Sequence, residues 1–352
     1  MPRSLDHYRL LGRSGLRVSP LTLGTMTFGM GGAAFGSTDE EAARMVDIYC
    51  DRGGNFLDTA NFYGQMGGSE ELLGRLVHDR RERLVISTKY SLTTRPGDPN
   101  ASGNSRKAMV RGVDDSLRRM QTDYIDLLYL HMWDSRTPVD EILRGFDDLV
   151  SSGKVLYIGL SDTPAWQASR MQAIAELRGW SQFCALQVSY SLIERTTERD
   201  LIPMARELGM GVCPWSPLGG GILTGKYAAS ALEEAEPQPG SRHAINMATG
   251  RLSERSLGIA RVVGEVAEEL GRTSAQVALA WTMRDSAIAS PVIGARTPAQ
   301  LEDNLGALDV ELDESQLGRL DDASRVPLGF PHEMLDAGTT AMAFGNVTVE
   351  DR

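Results

Sequence analysis

The fold is decided by residues 124–161, YIDLLYLHMWDSRTPVDEILRGFDDLVSSGKVLYIGLS. This stretch begins with a continuous apolar run, YIDLLYLH (124–131), and ends with a second one, VLYIGLS (155–161). Continuous rather than alternating apolar runs are typical of strands that are buried on both faces. The segment between them, VDEILRGFDDLVSSG (139–153), has helical periodicity and ends at a glycine. The stretch therefore predicts a strand–helix–strand unit with parallel strands.

The same unit repeats along the chain, and eight apolar runs alternate with eight segments of helical period. This repetition fits a closed (β/α)8 TIM barrel better than an open, doubly wound sheet. The apolar runs are LTLGT (21–25), NFLDTA (55–60), LVISTK (84–89), 124–131, 155–161, FCALQV (183–188), MGVCPW (210–215) and AIASPVIG (287–294). The helical segments are residues 40–53, 69–79, 105–120, 139–153, 164–179, 197–209, 274–284 and 298–308.

Several segments lie outside this repeat. Residues 8–20 contain a glycine turn before the first barrel strand, and we expect a hairpin that plugs the barrel floor. Residues 226–250 are rich in Pro, Ala and charge, which predicts a long mobile loop. No linker divides the chain, so we expect residues 1–352 to form a single domain, with a core at about 18–310 and a tail at 311–352. Residues 330–346 of the tail either reach over the barrel mouth or are mobile.

Composition limits the function classes. The chain has 352 residues and a net charge of −11, which argues against binding nucleic acid or an anionic membrane through bulk charge. Its three cysteines are too few for a disulfide framework or a zinc site, and we expect no metal centre. The N-terminus has no apolar signal core and no 18-residue apolar run occurs, so we expect a cytoplasmic protein.

Two nucleotide-binding motifs nearly fit. Residues 29–34 (GMGGAA) match a dinucleotide-binding pattern, but no helix follows directly, so a loop over the barrel mouth is the better interpretation. Residues 220–226 (GGILTGK) match the start of a P-loop, but Tyr227 stands where Ser or Thr must bind Mg²⁺. A glycine-rich turn that ends in Lys226 can still wrap a pyrophosphate, because its backbone N–H groups approach closely.

Four polar residues follow three successive strands. Asp58 and Tyr63 flank the second barrel strand, while Lys89 and His131 end the third and fourth. Barrel chemistry lies at the carboxyl ends of the strands, so these groups converge on one rim. Lys89 can favour phenolate character in Tyr63, Asp58 can orient Lys89, and His131 can donate to a carbonyl oxygen. The sequence therefore predicts a site that protonates an oxyanion while hydride reaches carbon.

The chain resembles the aldo-keto reductases over roughly residues 8–310. The segments that carry the resemblance are LTLGTMTFG, DTANFYG, ISTK, LLYLH, YIGLSD, ALQVSYS, CPWSPLGGGILTGKY and GARTPAQLEDNLGAL, in the family's order. The resemblance implies a (β/α)8 barrel that binds NADP(H) across its mouth and reduces aldehydes or ketones. It implies catalytic roles for Asp58, Tyr63, Lys89 and His131, with Tyr63 as general acid.

The resemblance also implies the cofactor contacts. Asp162 replaces the Asn that this family usually has beside Ser161, and an ionised carboxylate accepts but does not donate. Arg296, at a helix start, can bind the adenosine 2′-phosphate, so we expect NADP(H) rather than NAD(H). The implied contacts are Gly24, Thr25, Met26, Asp58, Ser161, Asp162, Gln187, Trp215, Ser216, Pro217, Leu218, Gly220, Lys226, Arg242, Gly294, Arg296, Gln300, Asp303 and Asn304.

Strand-end residues predict the substrate pocket, namely Phe28, Tyr63, Tyr90, His131 and Trp133. The expected ligand is a small carbonyl compound or alcohol, and the oligomeric state is left open. Two alternatives are kept. One is an NADP-binding, redox-sensing regulatory subunit, although that branch tends to lack the histidine at position 131. The other is an enoyl or keto reductase of nucleotide-linked sugars, since residues 91–104 suggest a polar mouth.

Overall fold

A computed structural model describes residues 4–30, 35–232, 238, 240–335, 337–345 and 347. An antiparallel hairpin of β1 (Arg9–Leu10) and β2 (Arg17–Val18) precedes the main sheet. Leu11 and Val18 are fully buried and pack with Phe56, Tyr129 and Cys213 inside the barrel. The hairpin therefore closes the barrel floor, as the sequence predicts.

The main sheet has eight parallel strands, in the order β10-β3-β4-β5-β6-β7-β8-β9. The Cys213 N–H, just after β9, continues the pairing with β8 by donating to the Leu186 carbonyl. The Val292 N–H at the start of β10 donates to the Pro214 carbonyl, two residues after β9, at 2.8 Å. This second bond joins β9 to β10, the first and last strands in the order of the sheet. The chain therefore forms the predicted (β/α)8 barrel. The strands are β3 (Thr22–Gly24), β4 (Phe56–Asp58), β5 (Val85–Tyr90), β6 (Ile125–Leu130), β7 (Val155–Ser161), β8 (Phe183–Gln187), β9 (Gly211–Val212) and β10 (Val292–Gly294).

Helices surround the sheet and bury their apolar sides against it, as α4 does with Ile142, Phe146 and Leu149. The helices are α1 (Asp39–Asp51), α2 (Tyr63–Val77), α3 (Arg106–Met120), α4 (Val139–Ser151), α5 (Ala165–Arg178), α6 (Leu201–Leu208), α7 (Arg242–Ala248), α8 (Glu254–Leu270), α9 (Ser274–Thr282), α10 (Pro298–Leu305), α11 (Glu314–Ser324) and α12 (Ala337–Phe344).

Four helices lie outside the eight predicted segments, namely α7, α8, α11 and α12. Ser253 caps α8 by accepting from the Ser256 N–H, a signal present in the sequence. Residues 226–250 contain α7 and a 3₁₀ turn at 229–232, rather than loop alone. Residues 31–34 of the dinucleotide-like motif lie outside the described residues.

Within the part of the chain that the structure describes, no helix is both long and apolar enough to cross a bilayer. The same residues contain no group of three or more metal-ligating side chains that could hold a metal ion.

Candidate active site

Four side chains meet where β4, β5 and β6 end. Asp58 is the last residue of β4, Lys89 lies near the end of β5, and His131 directly follows β6. Tyr63 begins α2 after the four residues 59–62 that follow β4, and its ring centre lies 5.9 Å from that of His131. Parallel strands bring their carboxyl ends to one rim, which is why residues this far apart in sequence become neighbours.

The pair of Asp58 and Lys89 forms the buried base of the site. Lys89 Nζ lies 2.6 Å from Asp58 Oδ2 and donates to the Thr59 carbonyl at 2.7 Å. Asp58 Oδ1 accepts from Ser87 Oγ at 2.7 Å and from Gln187 Nε2 at 2.9 Å. Burial lowers the pKa of Lys89, but Asp58 and, secondly, Tyr63 together more than offset it, so the pKa is raised and the ammonium stays charged.

Tyr63 lies over this pair, with Lys89 Nζ 4.8 Å from its ring centre. Burial raises the pKa of Tyr63, while the Lys89 charge lowers it by less. Lys89 therefore lowers the pKa of Tyr63 as the sequence predicts, but burial of the phenol raises that pKa by more. Tyr63 is neutral and holds a proton that it can donate.

His131 is a neutral imidazole. Burial, and secondly the Lys89 charge, lower its pKa from 6.5 to about 3. Its Nδ1 is buried and has no hydrogen-bond partner among the described residues. Nε2 is then the ring nitrogen available to the cavity, where a neutral imidazole can donate its one N–H to a carbonyl oxygen.

A left-handed turn follows Tyr63 and shapes its approach. Gly64, Gln65, Met66 and Gly67 all have positive φ, and Gln65 donates to the Met30 carbonyl at 3.1 Å. A Cβ on Gly64 would lie 2.3 Å from the Ser69 nitrogen, so only glycine fits there. This turn, rather than the predicted start at Ser69, opens α2.

Lys89 is buried behind Asp58, Tyr63 and His131, which line one cavity of about 1020 Å³. Its wall includes every predicted cofactor contact except Thr25: Gly24, Met26, Asp58, Ser161, Asp162, Gln187, Trp215, Ser216, Pro217, Leu218, Gly220, Lys226, Arg242, Gly294, Arg296, Gln300, Asp303 and Asn304. Residues that end or follow most of the barrel strands thus share one continuous surface.

The far end of the cavity is strongly cationic. Lys226, Arg242, Arg251 and Arg296 all line it. Burial lowers the pKa of Lys226, and the nearby Arg296 and Arg242 lower it further. Burial, Arg251 and Arg296 likewise lower the pKa of Arg242. Mutual repulsion of this kind is relieved when an anion binds, so this end fits the phosphates of a dinucleotide.

A tight turn connects the cationic end to the reacting end. Ser216 Oγ accepts from the Gly220 N–H at 3.2 Å, and Gly219, Gly220 and Gly221 all have positive φ. A Cβ on Gly221 would lie 2.9 Å from Lys226 Nζ. This geometry is compatible with close approach of the backbone to a pyrophosphate beside the Lys226 charge, and that role of the turn stays a prediction.

The structure keeps four predicted residues away from the cavity wall. Thr25 is buried and donates to the Asp58 carbonyl at 3.0 Å, and Phe28 is buried in the apolar core. Tyr90 points away from the barrel interior and packs against Phe146, with ring centres 5.8 Å apart, because neighbouring residues of a strand face opposite sides. Trp133 is half-buried against the core.

Other wall residues are absent from the predicted sites. Phe35 and Leu92 lie on mouth loops, and Tyr227 and Arg251 come from the region that joins β9 to α8. Arg242 lies 4.9 Å from the ring centre of Phe35, so two distant loops meet across the cavity. Loop residues have no periodic pattern that predicts where they point. Of these four residues, only Tyr227 lies next to a motif in the sequence, the glycine-rich turn at 220–226.

The chain is similar in sequence to several known proteins and to one family model. Residues 20–325 match the family model described as Aldo/keto reductase family. The chain is 37% identical to norsolorinic acid reductase of Aspergillus flavus, over 99% of this chain and 89% of that protein. It is 41% identical to the uncharacterized oxidoreductase YrpG of Bacillus subtilis, over 92% and 97%. It is 36% identical to aryl-alcohol dehydrogenase [NADP(+)] of Phanerodontia chrysosporium, over 96% and 91%.

Proposed function

The chain belongs to the aldo/keto reductase family of oxidoreductases, and on that premise we propose that it reduces an aldehyde or ketone to an alcohol with NADPH. The observation that carries the proposal is that a neutral phenol and a neutral imidazole meet at one cavity wall, with a charged amine buried directly behind the phenol. Tyr63, Lys89 and His131 supply them, and Asp58 holds the amine.

NADPH, when bound, supplies the hydride. Tyr63 donates its proton to the carbonyl oxygen, and His131 donates a hydrogen bond to the same oxygen and orients it. The phenolate that Tyr63 leaves is stabilised by Lys89, whose charge already lowers the pKa of Tyr63. Asp58 keeps Lys89 charged and directed. The same groups run alcohol oxidation in reverse.

The expected test of this mechanism is Tyr63→Phe, assayed by NADPH consumption with a panel of aldehydes and ketones. Loss of a general acid lowers the rate by about 10²–10⁴-fold. Tyr90→Phe is the matched control, since it removes a tyrosine hydroxyl that does not line the cavity. An active Tyr63→Phe variant, or a wild-type protein that oxidises NADPH with no carbonyl compound, contradicts the proposal. The second result would instead favour the redox-sensing subunit.

We also propose a preference for NADP(H) over NAD(H). The cationic end of the cavity holds Arg296 near the start of α10, and a relative's name specifies NADP(+). Arg296→Ala should weaken binding of NADPH much more than binding of NADH, as measured by calorimetry. Equal weakening of both would contradict the assignment.

The substrate end of the cavity favours an uncharged, apolar carbonyl compound over a nucleotide-linked sugar. Met26, Phe62 and Leu92 line the wall, and the neutral His131 offers no charge to a phosphate. Only Leu92 of the 91–104 segment reaches the cavity wall. Two relatives are named for aryl alcohols, so aromatic aldehydes are the first substrates to assay. A cytoplasmic location and a one-domain organisation stay predictions.

A further inference from the structure

Asp162 occupies a central position in the cavity wall. It follows Ser161 at the end of β7, and its Oδ1 accepts from the Trp215 indole N–H at 3.1 Å. Its φ is +32°, in the left-handed region that aspartate and asparagine tolerate better than most residues. The side chain is exposed at the wall, while its main-chain carbonyl accepts from the Trp133 N–H at 3.4 Å.

Asp162 lies close enough to the reacting groups to act on them electrostatically. The Asp162 charge raises the pKa of Tyr63, and the Lys89 charge lowers that of Asp162. Partial desolvation raises the pKa of Asp162 above its ordinary value, and the Trp215 indole N–H and the Lys89 charge offset part of that rise. Asp162 therefore lies at the Tyr63 end of the cavity, and the cation that comes nearest along the wall is Arg251, 5.9 Å from the centre of the Trp215 ring.

A charge count at this end leaves one negative charge. Lys89 and Asp58 neutralise each other at 2.6 Å, His131 is neutral and Tyr63 is protonated. Asp162 makes no ion pair among the described residues. In the binary complexes Tyr63 stays protonated, so bound NADPH, whose nicotinamide ring is neutral, leaves this negative charge uncompensated. Bound NADP⁺ carries one positive charge on the nicotinamide ring, which compensates it. In the reaction itself the new positive charge on the ring is matched by the Tyr63 phenolate, so the net charge at this end is conserved.

We propose that the Asp162 carboxylate stabilises the oxidised, positively charged nicotinamide relative to the neutral, reduced one, and so favours hydride donation to the substrate. The inference rests on the proposed function and gives a role to the carboxylate at a position where the family usually has an amide. An amide accepts from Trp215 equally well, so Trp215 alone does not require the charge. A preorganised charge aimed at the charge that develops in a reaction stabilises its transition state.

The test is Asp162→Asn, which keeps the acceptor for Trp215, removes the charge and adds an amide N–H that bound NADP⁺ and NADPH meet alike. Dissociation constants of NADP⁺ and NADPH are measured by calorimetry at pH 7, for wild type and variant. We expect NADP⁺ to bind about tenfold more weakly in the variant and NADPH to bind within twofold of wild type. The bound couple then becomes more oxidising by about 30 mV, the equivalent of tenfold for two electrons.

Two variants serve as controls. Asp303→Asn removes one charge from the wall near the cationic end, and it should change both affinities by one factor and leave their ratio unchanged. Asp162→Glu keeps the charge and should keep the wild-type ratio. An unchanged ratio in Asp162→Asn, or an equal change of ratio in Asp303→Asn, overturns this inference and leaves the reductase proposal standing. Failure of wild type to bind either nucleotide overturns both.

Discussion

Replacing Lys89 by Met should destabilise the protein because it leaves a buried carboxylate without its cation. Lys89 and Asp58 are 1% and 2% exposed, so water cannot take over the lost ion pair. Breaking a buried pair by removing one partner costs about 3–5 kcal/mol. Asp58 keeps its hydrogen bonds from Ser87 and Gln187, which places the expected loss near the lower value, about 3 kcal/mol.

The double variant separates charge from packing. Lys89→Met with Asp58→Asn leaves no unpaired charge, so it should be more stable than the sum of the two single losses predicts. Unfolding in urea is followed by circular dichroism and by tryptophan fluorescence, since coincident curves support the use of one free energy of unfolding.

An exposed pair provides the control. Arg261 and Glu265 are 71% and 44% exposed, so Arg261→Met should change the free energy of unfolding by less than about 0.5 kcal/mol. The reasoning is refuted if Lys89→Met is as mild as Arg261→Met, or if the two single losses simply add in the double variant.

Three further predictions concern burial. NMR titration of the His131 ring should show no protonation between pH 5 and 8, because burial lowers its pKa to about 3; a midpoint near 6.5 would contradict this. Since the unfolded chain takes up that proton below pH 6.5, His131 should lower stability by about 2 kcal/mol at pH 5 relative to neutral pH, a loss absent from His131→Gln. Leu11→Ala, in the floor hairpin, should cost about 2–5 kcal/mol of unfolding free energy, whereas Leu10→Ala, 59% exposed, should cost far less. Tyr90→Phe should leave stability equal or higher and kcat/KM unchanged, because the Tyr90 hydroxyl is buried without a partner among the described residues; a loss of activity would contradict its placement outside the cavity.

Much of the fold and the outline of the site could be predicted because both depend on local patterns. Apolar runs of strand length alternate with helical periods, and a barrel is the arrangement that buries all eight strands. Parallel strands also end at one rim, so Asp58, Lys89 and His131 could be grouped from their strand-end positions alone. The floor hairpin was predicted from a turn before the first barrel strand.

Side-chain direction was harder to predict. Lys89 and Tyr90 are neighbours at a strand end, and both were expected at the site. The strand turns only one of them inward, and Phe146 of α4 receives the other. Arg251 and Phe35 reach the cavity from loops whose course no periodic pattern predicts.

The sequence by itself determined which chemical groups are present and at which rim of the barrel they lie. The spacing of apolar residues predicts the order of the strands and the residues at which they end. Only the tertiary structure decided their protonation. His131 is neutral below pH 6.5 because the packed barrel withdraws it from water, and burial likewise keeps Tyr63 protonated beside the Lys89 charge. Lys89 stays charged in the interior because Asp58 lies 2.6 Å away. Desolvation is produced by residues from the whole chain, so no local segment encodes it.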